Sequence, residues 1–157
     1  MSLKQLPTLT TLALLLAALG SGPAAHAADK LCKLSISGND LMQYDKKELT
    51  AAGDCTQIEL TLTHTGKLPA AAMGHNWVLV KSADATAVAN AGASAGLSNS
   101  YQQPGDPRVI ASTKTIGGGE STSVTFSTSK LQKGGDYTYL CTFPGHNALM
   151  KGTFHFG

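Results

Sequence analysis

Three donor side chains of different character fall within ten residues of this 157-residue chain: Cys141, His146 and Met150, in CTFPGHNALM. Four residues separate the cysteine from the histidine, and three more precede the methionine. Pro144-Gly145 is a turn signal that bends the stretch between them. A second imidazole has to come from elsewhere, and the other histidines are few. His26 belongs to an N-terminal leader, and His155 takes the outward face of a strand. His64 lies on an apolar strand face, where a histidine satisfied by hydrogen bonds is the ordinary case. His75, in MGHNW just ahead of a strongly apolar segment, remains. Two imidazoles, a thiolate and a thioether are a donor set for copper exchanging one electron. Nitrogen suits Cu(II) and soft sulfur suits Cu(I), so a rigid mixture needs little rearrangement when an electron arrives or leaves.

The segments that must position these donors alternate with period two and show almost no helical periodicity. In LCKLSIS, Cys32, Leu34 and Ile36 share one face. In TQIELTLTH, Ile58, Leu60, Leu62 and His64 share another. HNWVLVK (75–81) is apolar on both faces and reads as a central, buried strand containing Trp77. SVTFS (123–127), DYTYLC (136–141) and MKGTFHF (150–156) complete the set, with Met150, Gly152, Phe154 and Phe156 facing inward. SGND, HTGKLP, GGGE and KGGD punctuate these runs, as expected for an all-β antiparallel sandwich or barrel. Residues 83–107 break the rhythm; they read as a flap with a short helix around 84–91. Cys141 ends one strand and Met150 begins the next, so the donor loop is a hairpin at one end of the sandwich.

Residues 1–27 carry one positive charge, an apolar run and AHA, the three-part pattern of a secretory signal peptide cleaved after Ala27. That leaves 28–157 as one domain in an exported protein. The leader's apolar run is shorter than the ~20 residues of a spanning helix, and no later segment could cross a membrane. Without Lys4, eleven basic residues stand against ten acidic ones. No basic run exceeds Lys46-Lys47, so nothing suggests nucleic-acid binding. Three cysteines in an oxidising compartment suggest one bond and one free thiol. Cys32 and Cys55, both beside strand-like segments, are paired in this reading. The alternative, Cys141 bonded to either of them, would abolish the donor set.

At these residues the chain resembles the azurins, a bacterial periplasmic branch of the cupredoxin (type 1 blue copper) family. GHNW at 74–77, CTFPGHNALMKGTF at 141–154, SGNDLMQY, GGGESTSVTF and the positions of Cys32 and Cys55 carry the resemblance, which runs from about residue 31 onward. It implies a Greek-key sandwich of about eight strands and one type 1 copper. His75, Cys141 and His146 match the equatorial ligands, Met150 the axial one, and Gly74 the opposite axial carbonyl. Asn76 and Phe143 match positions that tie the ligand loops together and pack against the site. Met42, Leu68, Met73, Pro144, Gly145 and Ala148 match an apolar docking patch around His146, the electron port. The implied function is single-electron shuttling by a monomer, without catalysis. Its partners would be small redox proteins, such as c-type cytochromes or a copper reductase, that dock transiently. Ser112 and Ala93 stand where relatives often carry histidine and methionine, which bears on docking alone. Zinc could occupy the same donors, though it has no use for a thioether. A cysteine nucleophile with a histidine base is the remaining alternative, and no orienting third residue is evident for it.

Overall fold

The computed structural model describes Met1 and residues 29–157. The proposed leader and its cleavage point lie outside the described residues. Among the described residues, nine strands form two sheets: β1 (Leu31–Asn39), β2 (Gln43–Tyr44), β3 (Glu48–Ala51), β4 (Gln57–His64), β5 (Val78–Lys81), β6 (Val109–Ser112), β7 (Ser121–Ser127), β8 (Tyr137–Leu140) and β9 (Lys151–Phe156). One sheet has the order β2-β1-β4-β7, the other β3-β9-β8-β5-β6. The sequence alternation is realised directly: Ile58, Leu60, Leu62 and His64 of β4 are all fully buried. Between the sheets they meet Trp77, Leu79, Tyr139, Met150 and Phe154 in one core. Trp77 is enclosed by Phe126, Tyr139 and Phe154, with ring centroids 6.1, 6.1 and 6.4 Å away.

The sheets are mixed, where alternation alone suggested antiparallel pairing. β1 runs parallel to β4 from Leu31↔Gln57 to Gly38↔His64, and β3 runs parallel to β9. β4–β7, β5–β6, β5–β8 and β8–β9 are antiparallel. Period two reports which face a side chain takes and says nothing of a neighbour's direction. The predicted disulfide is present between Cys32 and Cys55, and Cys141 is free and buried. Among the described residues, no helix is long and apolar enough to cross a membrane.

The flap contains the expected helix, longer than its sequence reading: α2 spans Ala85–Ala95, after the single-turn α1 (Ala70–Met73). Alanine, the best helix former, dominates ATAVANAGASA, and Gly96 at φ 75° ends it. Val88 and Ala89 pack on Val78, Val80 and Leu140, which explains why β5 is apolar on both faces. One face meets the sandwich core and the other meets the helix.

Candidate metal centre

The donor residues come from two chain segments at one end of the sandwich. His75 precedes β5 and is pinned by a two-way backbone bridge to Ile116, with bonds of 3.0 and 2.9 Å. Gly74 beside it must be glycine, because a Cβ there would collide with the Ala70 carbonyl and sit 2.6 Å from Thr115 Cγ2. The second segment closes on itself. The Cys141 amide donates to the Met150 carbonyl at 2.9 Å, and the Met150 amide to the His146 carbonyl at 2.8 Å. Gly145, at φ 83°, makes the turn in between.

These segments bring His75, Cys141 and His146 together, one donor atom from each lying within 4.8 Å of the others. Cys141 Sγ is 3.8 Å from His146 Nδ1 and 3.9 Å from the Gly74 carbonyl oxygen. A first-row ion bonds nitrogen and sulfur at about 2.0–2.3 Å, so donors flanking one ion stand up to about 4.5 Å apart. Met150 is fully buried alongside. A Cβ on Gly38 would lie 2.7 Å from His75 Cδ2 and 3.1 Å from Met150 Cε, so this glycine lets both side chains close in.

The His75 ring provides a test of whether a cation fits. Its Nε2 is 2.8 Å from the Asn39 carbonyl and its Nδ1 is 3.0 Å from the Gly74 carbonyl. A neutral imidazole carries one N–H, so one nitrogen must face a carbonyl lone pair to lone pair. With Nε2–H donating to Asn39, the Nδ1 lone pair is left for a cation in the cluster. His64 stacks on this ring at 4.2 Å and 8°. His64 Nε2 is 2.8 Å from the Met73 carbonyl, and its Nδ1 accepts from the Gly66 amide at 3.0 Å. It is the satisfied buried histidine that its strand position suggested, and it also fixes the plane of His75.

Burial sets the protonation of the donors. It pushes the His146 imidazole down to about 4, helped by the neighbouring His75 and His64. His75 is also lowered, chiefly by burial. Both rings are therefore neutral near pH 7 and have lone pairs to give. Burial pushes the Cys141 thiol up to about 11 against the opposing backbone amides of Asn76 and Phe143. Without a metal the group is a protonated, inaccessible thiol, the opposite of an activated nucleophile.

Asn76 joins the two segments. Its Nδ2 donates to Thr142 Oγ1 at 2.7 Å, while its Oδ1 accepts from the Thr142 amide at 2.9 Å. Phe143 packs 4.3 Å from the His146 ring. His146 is only 3% exposed, so little more than an edge of the expected electron port reaches solvent. Pro144, Gly145, Ala148 and Leu68 are exposed around this end, and Met42 and Met73 are half-buried. Leu41 and Leu149, at 69% and 53% exposure, flank Met42 and Met150 and escaped the sequence reading. So did Gly38, the Asn39 carbonyl and the role of His64 as a stacking support. Their signal was present in SGND and TLTH, but a turn and a strand accounted for both. His155 is exposed on β9, away from the cluster.

The family model of copper-binding proteins of the plastocyanin/azurin type matches residues 30–156. An azurin of Bordetella pertussis is 57% identical over 122 residues, covering 78% of this chain and 81% of the relative. Azurin-1 of Alcaligenes xylosoxydans xylosoxydans is 57% identical over 121 residues, covering 77% and 94%. A solved azurin from the obligate methylotroph Methylomonas sp. strain J superposes with a TM-score of 0.77 at 44% identity, covering 80% of this chain and 98% of its own. With the family model matching nearly all of the described residues and relatives more than half identical, the chain belongs to the plastocyanin/azurin family of copper-binding proteins.

Proposed function

We propose that this protein carries single electrons between redox partners in the periplasm, with copper held by His75, Cys141 and His146 and flanked by Met150 and the Gly74 carbonyl. The observation that carries this reading is the mixed cluster: two neutral imidazoles and a thiol within 4.8 Å, buried beside a methionine. When bound, copper supplies the one-electron couple between its two oxidation states. The chain's part is to keep the donors still. Asn39 and His64 fix the His75 ring, the self-bonded loop fixes Cys141 and His146, and burial excludes water. The buried thiol of Cys141, held protonated by its surroundings, is unlike an activated nucleophile and supports a carrier over an enzyme.

The rim of Leu41, Met42, Leu68, Met73, Pro144, Gly145, Ala148 and Leu149 supports docking of a monomer on small redox proteins, such as c-type cytochromes or a copper reductase. Weak, small interfaces suit such exchange. Export is supported by the leader pattern of residues 1–27, cleaved after Ala27 to leave 28–157, and by the Cys32–Cys55 bond. Cu(II) added to the purified chain should give an intense visible band that ascorbate bleaches. A colourless protein that still binds metal would remove the electron-carrier reading and point to zinc.

A further inference from the structure

The flap between β5 and β6 contributes no donor, yet it reaches both donor segments. Ser100 and Tyr101 sit consecutively in the left-handed region, at φ 54° and 51°. Non-glycine residues rarely adopt this conformation, and two in a row persist only where the surroundings hold them. Here the Ser100 amide donates to the Leu97 carbonyl at 2.8 Å and the Tyr101 amide to the Gly96 carbonyl at 2.9 Å. The turn aims both of its own carbonyls at the metal centre. That of Ser100 accepts from Asn76 Nδ2 at 2.7 Å and Thr115 Oγ1 at 2.9 Å. That of Tyr101 accepts from Thr142 Oγ1 at 2.5 Å. Asn76 follows His75 and Thr142 follows Cys141, so each acceptor holds the neighbour of a different donor. The Tyr101 ring meets Phe143 edge-on at 4.7 Å, and Phe143 in turn lies against His146.

The helix presses this turn into place. Gly92 is buried on α2, and a Cβ there would collide with the Tyr101 carbonyl oxygen and lie 2.9 Å from Thr142 Cβ. Glycine costs a helix interior stability relative to alanine. At this position it allows the helix, the left-handed turn and the Cys141 segment to touch.

From this arrangement we infer that the flap is a positioning clamp: the Ser100 and Tyr101 carbonyls, seated by Gly92, set the separation of the His75 and Cys141 segments. The inference rests on the electron-carrier reading for its purpose, since a fixed separation limits how far the donors move with the electron. It rests on the hydrogen bonds alone for its existence.

The test is Gly92→Ala in the full chain, with Asn90→Ala on the exposed side of the same helix as control. Amide hydrogen exchange is measured on the metal-free proteins, followed by Zn(II) and Cu(II) competition titrations and the reduction potential. Gly92→Ala should speed exchange at the Thr142 amide by about tenfold or more, leaving Leu60 and Val124 in the other sheet unchanged. Metal affinity should fall about 10–100-fold, as when partners of ligand residues are lost, and the potential should shift with it. Asn90→Ala should do none of this. Unchanged Thr142 protection and affinity in Gly92→Ala would overturn the clamp. Equal acceleration at Leu60 and Val124 would also overturn it, by giving Gly92 a purely structural part. A wild-type protein with no bleachable band would sink the electron-carrier reading instead, and the metal-free exchange comparison would still judge the clamp.

Discussion

Cys141 is a thiol whose surroundings make it nearly inert until a metal displaces its proton. Cys141→Ser should eliminate the visible band while the urea midpoint of the metal-free protein moves little, since the side chains are similar in volume. Loss of the fold would mean that Cys141 is mainly a packing residue. The buried imidazoles and this thiol also set a pH window for the metal-free protein. The folded His146 and His75 refuse protons that an unfolded histidine accepts near 6.5, so stability falls as pH drops from about 6.5 toward 4. The folded Cys141 keeps its proton from an ordinary 9.0 up to about 11, so stability also falls as pH rises through that range. Urea midpoints should therefore plateau between about pH 6.5 and 9. Copper should remove the alkaline decline, because the bound sulfur has already lost its proton. A midpoint flat from pH 4 to 7 would contradict these shifts.

Among the elements, β1 is tied to β4 by eight parallel register pairs and to the residues just ahead of β4 by the Cys32–Cys55 bond. The bond sits at the end away from the donors, so its removal should separate stability from colour. The double variant Cys32→Ser/Cys55→Ser should lose about 3 kcal/mol in urea unfolding, on the chain-entropy estimate for a separation of 23 residues. Its copper spectrum should be unchanged. A loss below about 1 kcal/mol would mean that the unfolded chain is already constrained near these strands. The strands themselves were legible because inward and outward residues alternate so regularly in β4 and β9. Helix α2 was legible as a break in that rhythm, though not its length, since alanine and glycine carry little periodic signal. The donors were legible because their types are rare and three of them are local. The clamp was not: it is made of backbone carbonyls at Ser100 and Tyr101, and no side-chain type announces a carbonyl's direction.

Taken whole, the molecule is nearly neutral, with eleven basic and ten acidic residues in 28–157, and the apolar rim around its donors is edged by charges of opposite sign, Lys47 on the Leu149 carbonyl and Asp40 on the Leu68 amide. Electron exchange with a small redox protein should therefore depend little on ionic strength. Second-order rates should change by less than about threefold between roughly 0.01 and 0.1 M salt, over which the Debye length falls from about 30 to 10 Å. A tenfold fall would show that charges steer the encounter. The direction of the strands was the part of the whole that the sequence concealed, because β1–β4 and β3–β9 pair across long loops that alternation does not describe.

The order of the larger sheet has a consequence in time. β9, the ninth strand along the chain, inserts between β3 and β8, and Met150 immediately precedes it. The donor set is thus assembled only after nearly all of the chain has emerged and its latest strand has slotted into the middle of a sheet. A chain that has not yet added β9 cannot hold the donors in this geometry. The site as described is a property of the finished fold, and of no shorter stretch of it.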